Sequence, residues 1–190
     1  MKKLLALALL STTATASEVK WDSLEVSKQK VNNEHFYNFD GHGYSGTRLI
    51  NDSIILSASK RELSSDVNIW GFNVDLEAEV LALSIGGKKS VSHKTDLYFL
   101  VSYLDLSAKA SILGYSESSS ESGEGLSVGI RSMVSHDFEL SAQANFYDAD
   151  LDNSIIIGGH YFLADNFSLG MSYEKDSESA GTNIVARMYF

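Results

Sequence analysis

Apolar and polar residues alternate with a period of two along most of this chain. The clearest stretch runs from 138 to 146, where every even position is apolar and every odd position is polar. Successive side chains of a β-strand point to opposite faces, so this pattern predicts a strand with one apolar and one polar face. Phe138 and Phe146 stand at the two ends of the apolar face, ~26 Å apart at ~3.3 Å per residue.

Clusters of Gly, Asn, Asp and Ser divide the alternation into ten segments. The first segment is the least regular, because Lys20, Glu25 and Lys28 interrupt it; without it, and with one further merger, the count is eight. Tight turns at 51–52, 135–137 and 164–166 alternate with longer Ser- and Glu-rich connections at 111–123 and 175–181. An even count returns both chain ends to one side, so we predict a transmembrane, antiparallel, up-and-down β-barrel. The predicted strands are 18–30, 35–47, 53–62, 69–85, 95–110, 124–134, 138–148, 153–163, 166–176 and 180–190.

The beginning of the chain predicts export. Lys2 and Lys3 precede an apolar run, and Ala14-Thr15-Ala16 fits the small-residue pattern of a signal-peptidase site. The expected organisation is a cleaved signal peptide, residues 1–16, and one barrel domain, residues 17–190. The apolar run is shorter than the ~20 residues that a spanning helix needs, and the chain has no cysteine for a lipid anchor or a disulfide.

Composition and motifs argue against several functions. The net charge is −10, which disfavours nucleic acid as a partner because phosphate binding needs clustered Lys and Arg. Residues 41–46 match the spacing of a dinucleotide-binding loop, but the βαβ context that such a loop requires is missing. No catalytic constellation is recognisable. The sequence therefore predicts a protein that is not an enzyme and has no catalytic residues, cofactor or metal.

The polar phase is predicted to line the lumen if the apolar phase faces lipid. In the segment 69–85 this assignment points Asp75, Glu77 and Glu79 inward. A barrel of eight to ten strands is narrow enough for side chains to fill it, and charges confined there must pair or keep water. The lumen is therefore either a packed polar plug or a cation-preferring leak along its carboxylates. The predicted lumen charges are Asp40, Arg61, Asp75, Glu77, Glu79, Arg131, Glu139, Glu174 and Arg187.

The last strand carries apolar residues at every second position, namely Ile184, Ala186, Met188 and Phe190. It resembles the closing strand of bacterial outer-membrane barrels and the signal that the barrel-assembly machinery recognises. With Gly125–Arg131, Phe138–Leu140, Gly158–Phe162 and the final Arg-x-Tyr-Phe, the chain resembles the small outer-membrane β-barrel proteins of Gram-negative bacteria. That group includes OmpA-like, OmpX-like and porin-like barrels.

This resemblance implies a location in the outer membrane of a Gram-negative bacterium. The implied partners are outer-membrane lipid and lipopolysaccharide, with the barrel-assembly machinery and periplasmic chaperones during biogenesis. Barrels of this kind serve as structural proteins, adhesins, narrow pores or lipid-modifying enzymes, so the fold leaves the activity open. We predict a structural or surface protein with a narrow, charge-filled lumen. The alternatives are a small cation-preferring pore and a surface adhesion or interaction barrel that binds a surface ligand through the acidic loop 111–123.

A soluble secreted β-sandwich or lipocalin-like barrel is the rival architecture. It alternates in the same way but places its apolar side chains inside. Alternation alone does not distinguish the two faces. The soluble fold would point Phe138, Phe146 and Met188 inward and would expose Asp75 and Glu77 to solvent.

Overall fold

The computed structural model describes residues 18–33, 38–69, 71–113, 115–148 and 152–190. The predicted signal peptide, residues 1–16, lies outside the described residues. Within them the structure forms ten strands. No helix among these residues is long and apolar enough to cross a membrane. The strands are β1 (Ser23–Asn33), β2 (Asn38–Ile50), β3 (Ile54–Ile69), β4 (Phe72–Ser92), β5 (Thr95–Ile112), β6 (Tyr115–Met133), β7 (Phe138–Tyr147), β8 (Ser154–Ala164), β9 (Phe167–Lys175) and β10 (Ser179–Tyr189).

The ten strands close into an antiparallel up-and-down barrel. Each strand pairs with its neighbours in sequence, and β1 closes the cylinder against β10, where Ser23 pairs with Tyr189. The predicted all-β, ten-stranded barrel is thus confirmed. The first strand begins at Ser23 rather than at residue 18, because residues 18–22 leave the sheet. We call the end with residues 18–22, Phe190 and the short turns at 51–53, 93–94, 134–137 and 165–166 the turn side, and the opposite end the wall side.

Apolar side chains cover the outside of the barrel. Phe146 and Met188 are half exposed, at 48% and 50% of their surface. Because these large apolar groups face away from the lumen, the soluble, apolar-inside alternative is wrong. Every strand contributes to this outer band, for example Val26, Tyr44, Leu56, Leu83, Val101, Val128, Phe146, Ile157, Met171 and Ile184.

The strands differ greatly in length. Strand β4 has 21 residues, whereas β9 has nine. Strand β6 pairs with β7 only from Gly125 onward, although it begins at Tyr115. The upper parts of four strands therefore stand above the rest of the rim. We call them the tall wall: residues 60–69 of β3, 72–80 of β4, 104–112 of β5 and 115–124 of β6.

The tall wall overturns the predicted loop at 111–123. Ile112 pairs with Tyr115, and pairing continues from there down both strands. Only residues 113–114 lie between the strands, so the Ser- and Glu-rich segment is the arm of a hairpin. Its Ser- and Glu-rich composition does not predict a strand. It forms one because β5 provides a continuous row of backbone hydrogen-bond partners.

The tall wall also reverses the polarity of the sheet. Along β4, Val80 and Ala82 line the lumen, whereas Leu81 and Leu83 are exposed outside. Asp75, Glu77 and Glu79 share the outer phase with these leucines, and their inward neighbour Val74 is buried. The prediction that the three carboxylates face the lumen is therefore wrong. Above the membrane the outer face meets water, so charged side chains can occupy it.

Candidate functional site: the closed lumen

The lower lumen is lined by small hydroxyl and carboxamide side chains. They alternate with the apolar outer band on the same strands and enclose a cavity of about 360 Å³. Two inward glycines make room for large side chains: a Cβ on Gly129 would lie 2.4 Å from Cζ of Tyr98, and one on Gly170 would lie 2.5 Å from Nδ1 of His160. The hydroxyl and carboxamide residues around the cavity are Ser27, Gln29, Ser45, Thr47, Ser57, Ser59, Ser84, Ser102, Ser127, Ser141, Gln143, Asn145, Ser172 and Asn183.

A charged network crosses the lumen towards the turn side. Arg131 binds Glu139 through two parallel hydrogen bonds, Nε to Oε1 at 3.0 Å and Nη2 to Oε2 at 2.9 Å. Arg187 donates to Glu139 at 3.3 Å and to Glu25 at 2.7 Å. Glu139 is fully buried. The two arginines and two glutamates alternate along the network, so each buried charge has a partner of opposite sign.

A second ion pair spans the lumen nearer the wall side. Nη1 of Arg61 on β3 lies 2.9 Å from Oε2 of Glu174 on β9, and three other strands separate these two along the shorter way round the barrel. The hydroxyl of Ser154 donates to the other oxygen of Glu174 at 3.0 Å. This crossbar is more exposed than the lower network, since 39% of the Arg61 side chain is accessible.

Residues 18–22 pack into the turn side of the lumen. Val19 and Trp21 are buried there and pack with Ile55 and Met133 in an apolar cluster. We call this segment the plug. It precedes β1, and Trp21 also lines the cavity of the lower lumen. The partly buried side chains packed around the cluster are Leu49, Tyr98, Leu100 and Phe162.

Polar contacts hold the plug in position. The indole nitrogen of Trp21 donates to Asp96 at 2.7 Å, and the Arg131 guanidinium lies over the indole ring, 4.5 Å from its centroid. Arg131 also donates to the carbonyl of Lys20 at 2.9 Å. Asp96 accepts further hydrogen bonds from Lys88 and Ser90. The lower charged network and the plug therefore share Arg131.

The structure brings five of the nine predicted lumen charges into the lumen, in the lower network and the crossbar. They are Arg61, Arg131, Glu139, Glu174 and Arg187.

The other four lie on the outer face. Glu77 pairs there with Lys109 at 3.2 Å, and Glu79 pairs with Lys60 at 2.9 Å. Asp40 shares the outer phase of β2 with the exposed Tyr44, because the buried positions of that strand are glycines 41 and 43. The fourth is Asp75, which is exposed. Because this part of β2 has glycines on its inner face and a charge on its outer face, residue polarity does not show which face lines the lumen.

The sequence prediction missed Trp21, Glu25 and Asp96. Glu25 lies in the irregular first strand, yet it shares its phase with Ser27 and Gln29, which was the available signal. No local signal marked Trp21 or Asp96, because their roles depend on contacts between distant parts of the chain.

The predicted assembly signal lies on the outer face of β10. Ile184 and Met188 are exposed there, and Ala186 has the same phase. Phe190 follows the strand directly and is also exposed. Its recognition by the assembly machinery stays a prediction.

Three solved structures share this fold at low sequence identity. The NanC porin matches with a TM-score of 0.54 and 8% identity, over 88% of this chain and 99% of that one. The KdgM porin in complex with disordered oligogalacturonate matches with a TM-score of 0.53 and 10% identity, over 87% and 99%. The translocator domain of the autotransporter NalP from Neisseria meningitidis matches with a TM-score of 0.53 and 10% identity, over 93% and 90%. No family model matches the chain, and no curated protein matches it by sequence. The fold is that of outer-membrane β-barrel proteins.

Proposed function

We propose that this outer-membrane β-barrel is a non-catalytic structural and surface protein whose lumen is closed on the turn side. The observation that carries the proposal is the plug, with Trp21 held between Asp96 and Arg131. The apolar outer band supports outer-membrane lipid and lipopolysaccharide as its surroundings. The exposed face of β10 supports the assembly machinery and periplasmic chaperones as partners during biogenesis.

A cation-preferring pore has less support. The carboxylates that suggested it, Asp75, Glu77 and Glu79, lie outside the lumen. Inside, the cations and anions balance, because Arg61 pairs with Glu174 and the lower network contains two of each sign. Selectivity for cations requires an uncompensated ring of carboxylates, and the described part of the lumen has none.

Conductance in a planar bilayer tests the closed lumen. We expect the unmodified protein to be silent, and Trp21→Ala, which empties the plug and removes the bond to Asp96, to give discrete current steps. Phe99→Ala removes an aromatic side chain from the outer band and is the matched control, expected to be silent. A heat-dependent gel shift shows that each variant is folded. Frequent steps from the unmodified protein would contradict the proposal.

The tall wall supports surface interaction as a second function. Residues 115–123 of β6 pair with β5 on one side, but their other edge lies beyond the contacts between β6 and β7, which end at Gly125 with Tyr147 and at Glu124 with Asp148. An exposed strand edge can pair with an extended segment of another polypeptide. Glu117, Glu121 and Glu124 lie on this strand, so the edge suits a cationic segment.

Shortening the hairpin tests this second function. Asp105 and Ser122 are cross-strand partners, so an Asn-Gly turn placed between them removes most of the edge and preserves the register below. We expect the shortened protein to lose binding to a basic, extended peptide and to retain the gel shift. Glu117→Gln with Glu121→Gln separates the contribution of charge from that of the strand edge. If charge contributes, this double variant should bind the peptide more weakly, and its binding should depend less on salt than that of the unmodified protein. Unchanged binding after shortening would reject this function.

A further inference from the structure

The cavity in the lower lumen is a chamber with charged closures at both ends. Arg61 and Glu174 cross it near the wall side, and Arg131, Glu139 and Arg187 cross it above the plug. Its volume of about 360 Å³ falls in the range of ~300–1,000 Å³ typical of small-molecule sites. Because the plug blocks the turn side, a solute can enter only past the exposed crossbar.

The chamber wall offers hydrogen-bonding groups that are not used within the protein. Ser45, Ser59 and Ser141 line the cavity, and in the described part of the chain their hydroxyls have no hydrogen-bond partner. Ser45 and Ser59 are cross-strand partners on the adjacent strands β2 and β3, whereas Ser141 lies on β7 across the barrel, so the hydroxyls approach the cavity from two sides. A hydroxyl donates one hydrogen bond and accepts others, so this wall matches a ligand that itself both donates and accepts.

The charges of the chamber exclude an ionic ligand. Each lumen arginine is bonded to a glutamate, and each of those glutamates is bonded to an arginine. A charged solute would enter without an opposite charge to meet it, and a desolvated charge without a partner is costly. The ligand that fits is therefore neutral.

Aromatic rings complete the site. Tyr98 lies against the wall at Gly129, with its hydroxyl donating to Gln143 at 2.6 Å, and Trp21 meets its ring edge-on with the centroids 5.2 Å apart. Tyr147 lines the cavity from the same strand as Gln143. Ring faces are electron-rich and pack well against the C–H groups of a sugar or another polyol.

We infer that the chamber binds a neutral, hydroxyl-rich small molecule of the monosaccharide class. The ligand enters from the wall side, and the charged network forms the floor beneath it, with Trp21 lining the cavity beside Arg131. This inference rests on the closed turn side proposed above.

Tryptophan fluorescence tests the inference. The chain has two tryptophans, so Trp70→Phe leaves Trp21 as the only reporter. We expect D-glucose to change the Trp21 emission saturably and to reduce its quenching by acrylamide, in a zwitterionic detergent without a sugar headgroup. Sodium glucuronate, of nearly the same shape but anionic, should bind at least about tenfold more weakly, because its carboxylate finds no free cation.

Matched pairs of variants locate the site. Ser141→Leu and Ser59→Leu fill the chamber from two strands and should abolish the saturable change. Ala142→Leu and Ala58→Leu add the same side chain to the outer phase of the same strands and should preserve it. Two chamber-filling variants are used so that one remains informative if the other fails the gel shift.

Three outcomes of these experiments would overturn the inference. No saturable change in folded Trp70→Phe protein, equal or tighter binding of glucuronate, or retained binding in the chamber-filling variants would overturn the inference. Conductance of the same Trp70→Phe protein separates this inference from the proposed function. A silent bilayer without glucose binding rejects only the chamber site, whereas current steps reject the closed lumen itself.

Discussion

The outer face of β4 differs between its lower and upper halves. Leu81, Leu83 and Ile85 project outward in the lower half, and Glu77 and Glu79 project outward in the tall wall. The backbone alternation does not change between them, so the difference lies in what surrounds the strand. A carboxylate is energetically costly in hydrocarbon and a leucine is not, whereas either side chain can be exposed to water. The step from Glu79 to Leu81 therefore marks where this strand enters the membrane.

The inner face changes in the opposite direction. In the lower barrel Ser84 and Ser102 face the lumen and hydrogen-bond to each other at 2.8 Å, whereas in the tall wall the inward positions of the same strands include Val80 and Leu104. The lower barrel thus hides its polar groups and the wall hides its apolar ones. The comparison shows that one sheet can follow two opposite polarity rules.

The largest expected effect on unfolding free energy comes from breaking a buried ion pair in the lumen, compared with an exposed pair in the tall wall. Glu139→Gln leaves Arg131 and Arg187 buried with one carboxylate fewer, and breaking a buried pair costs about 3–5 kcal/mol. Glu79→Gln, the control in the tall wall, breaks an exposed pair with Lys60 and should cost about 0–1 kcal/mol. Urea unfolding in lipid vesicles measures both. Equal losses would show that the lower lumen is as well hydrated as the wall.

The strand count and the barrel could be predicted because alternation and turn residues are local signals. Which face of each strand points into the lumen could not be predicted, because the polarity of the outer face depends on whether hydrocarbon or water surrounds it. Asp75 and Glu139 look alike in sequence, each between apolar neighbours, yet one is exposed in the wall and the other is buried in the lumen. Five of the predicted lumen charges were correct. Four of them lie below the tall wall, and the fifth, Arg61, lies at its base and pairs across the lumen with Glu174.

The plug and the tall wall were missed for the same physical reason. The alternation places Trp21 in the first strand, but its position depends on Asp96 and Arg131, which are distant in sequence. Residues 115–124 have the composition of a loop, and only pairing with β5 makes them a strand. Contacts distant in sequence override local preference in both segments.

The next largest effect locates the membrane boundary on β5. Val101 and Ser107 lie on the same strand and share the outer phase. Val101→Arg places a charge in the apolar band and should cost about 2–4 kcal/mol, whereas Ser107→Arg, opposite Glu79, should cost close to nothing. Folding yield into vesicles, with the gel shift as readout, measures the difference. Tolerance of arginine at Val101 would place the boundary lower than the polarity switch indicates.

The smallest effect concerns a carboxylate in water, at the loop between β9 and β10. Burial alone would raise the pKa of Asp176, but hydrogen bonds from the Ser179 hydroxyl and from the backbone N–H groups of Ser179 and Glu178 hold that pKa below its ordinary value. Because the folded pKa is lower than the unfolded one, the resulting stability is fully present above the unfolded pKa and is lost as pH falls through the folded pKa.

Asp176→Asn should therefore reduce the acid-side slope of unfolding stability, and Ser179→Ala should raise the Asp176 pKa towards its ordinary value. Carboxyl carbon shifts in an NMR titration report that pKa directly. The effect stays below that of Glu139→Gln, since Asp176 keeps contact with water and a hydrogen bond to a charged group contributes about 1.5–3 kcal/mol at most. An Asp176 pKa that does not respond to Ser179→Ala would mean that the Ser179 hydroxyl does not contribute to the lowered pKa.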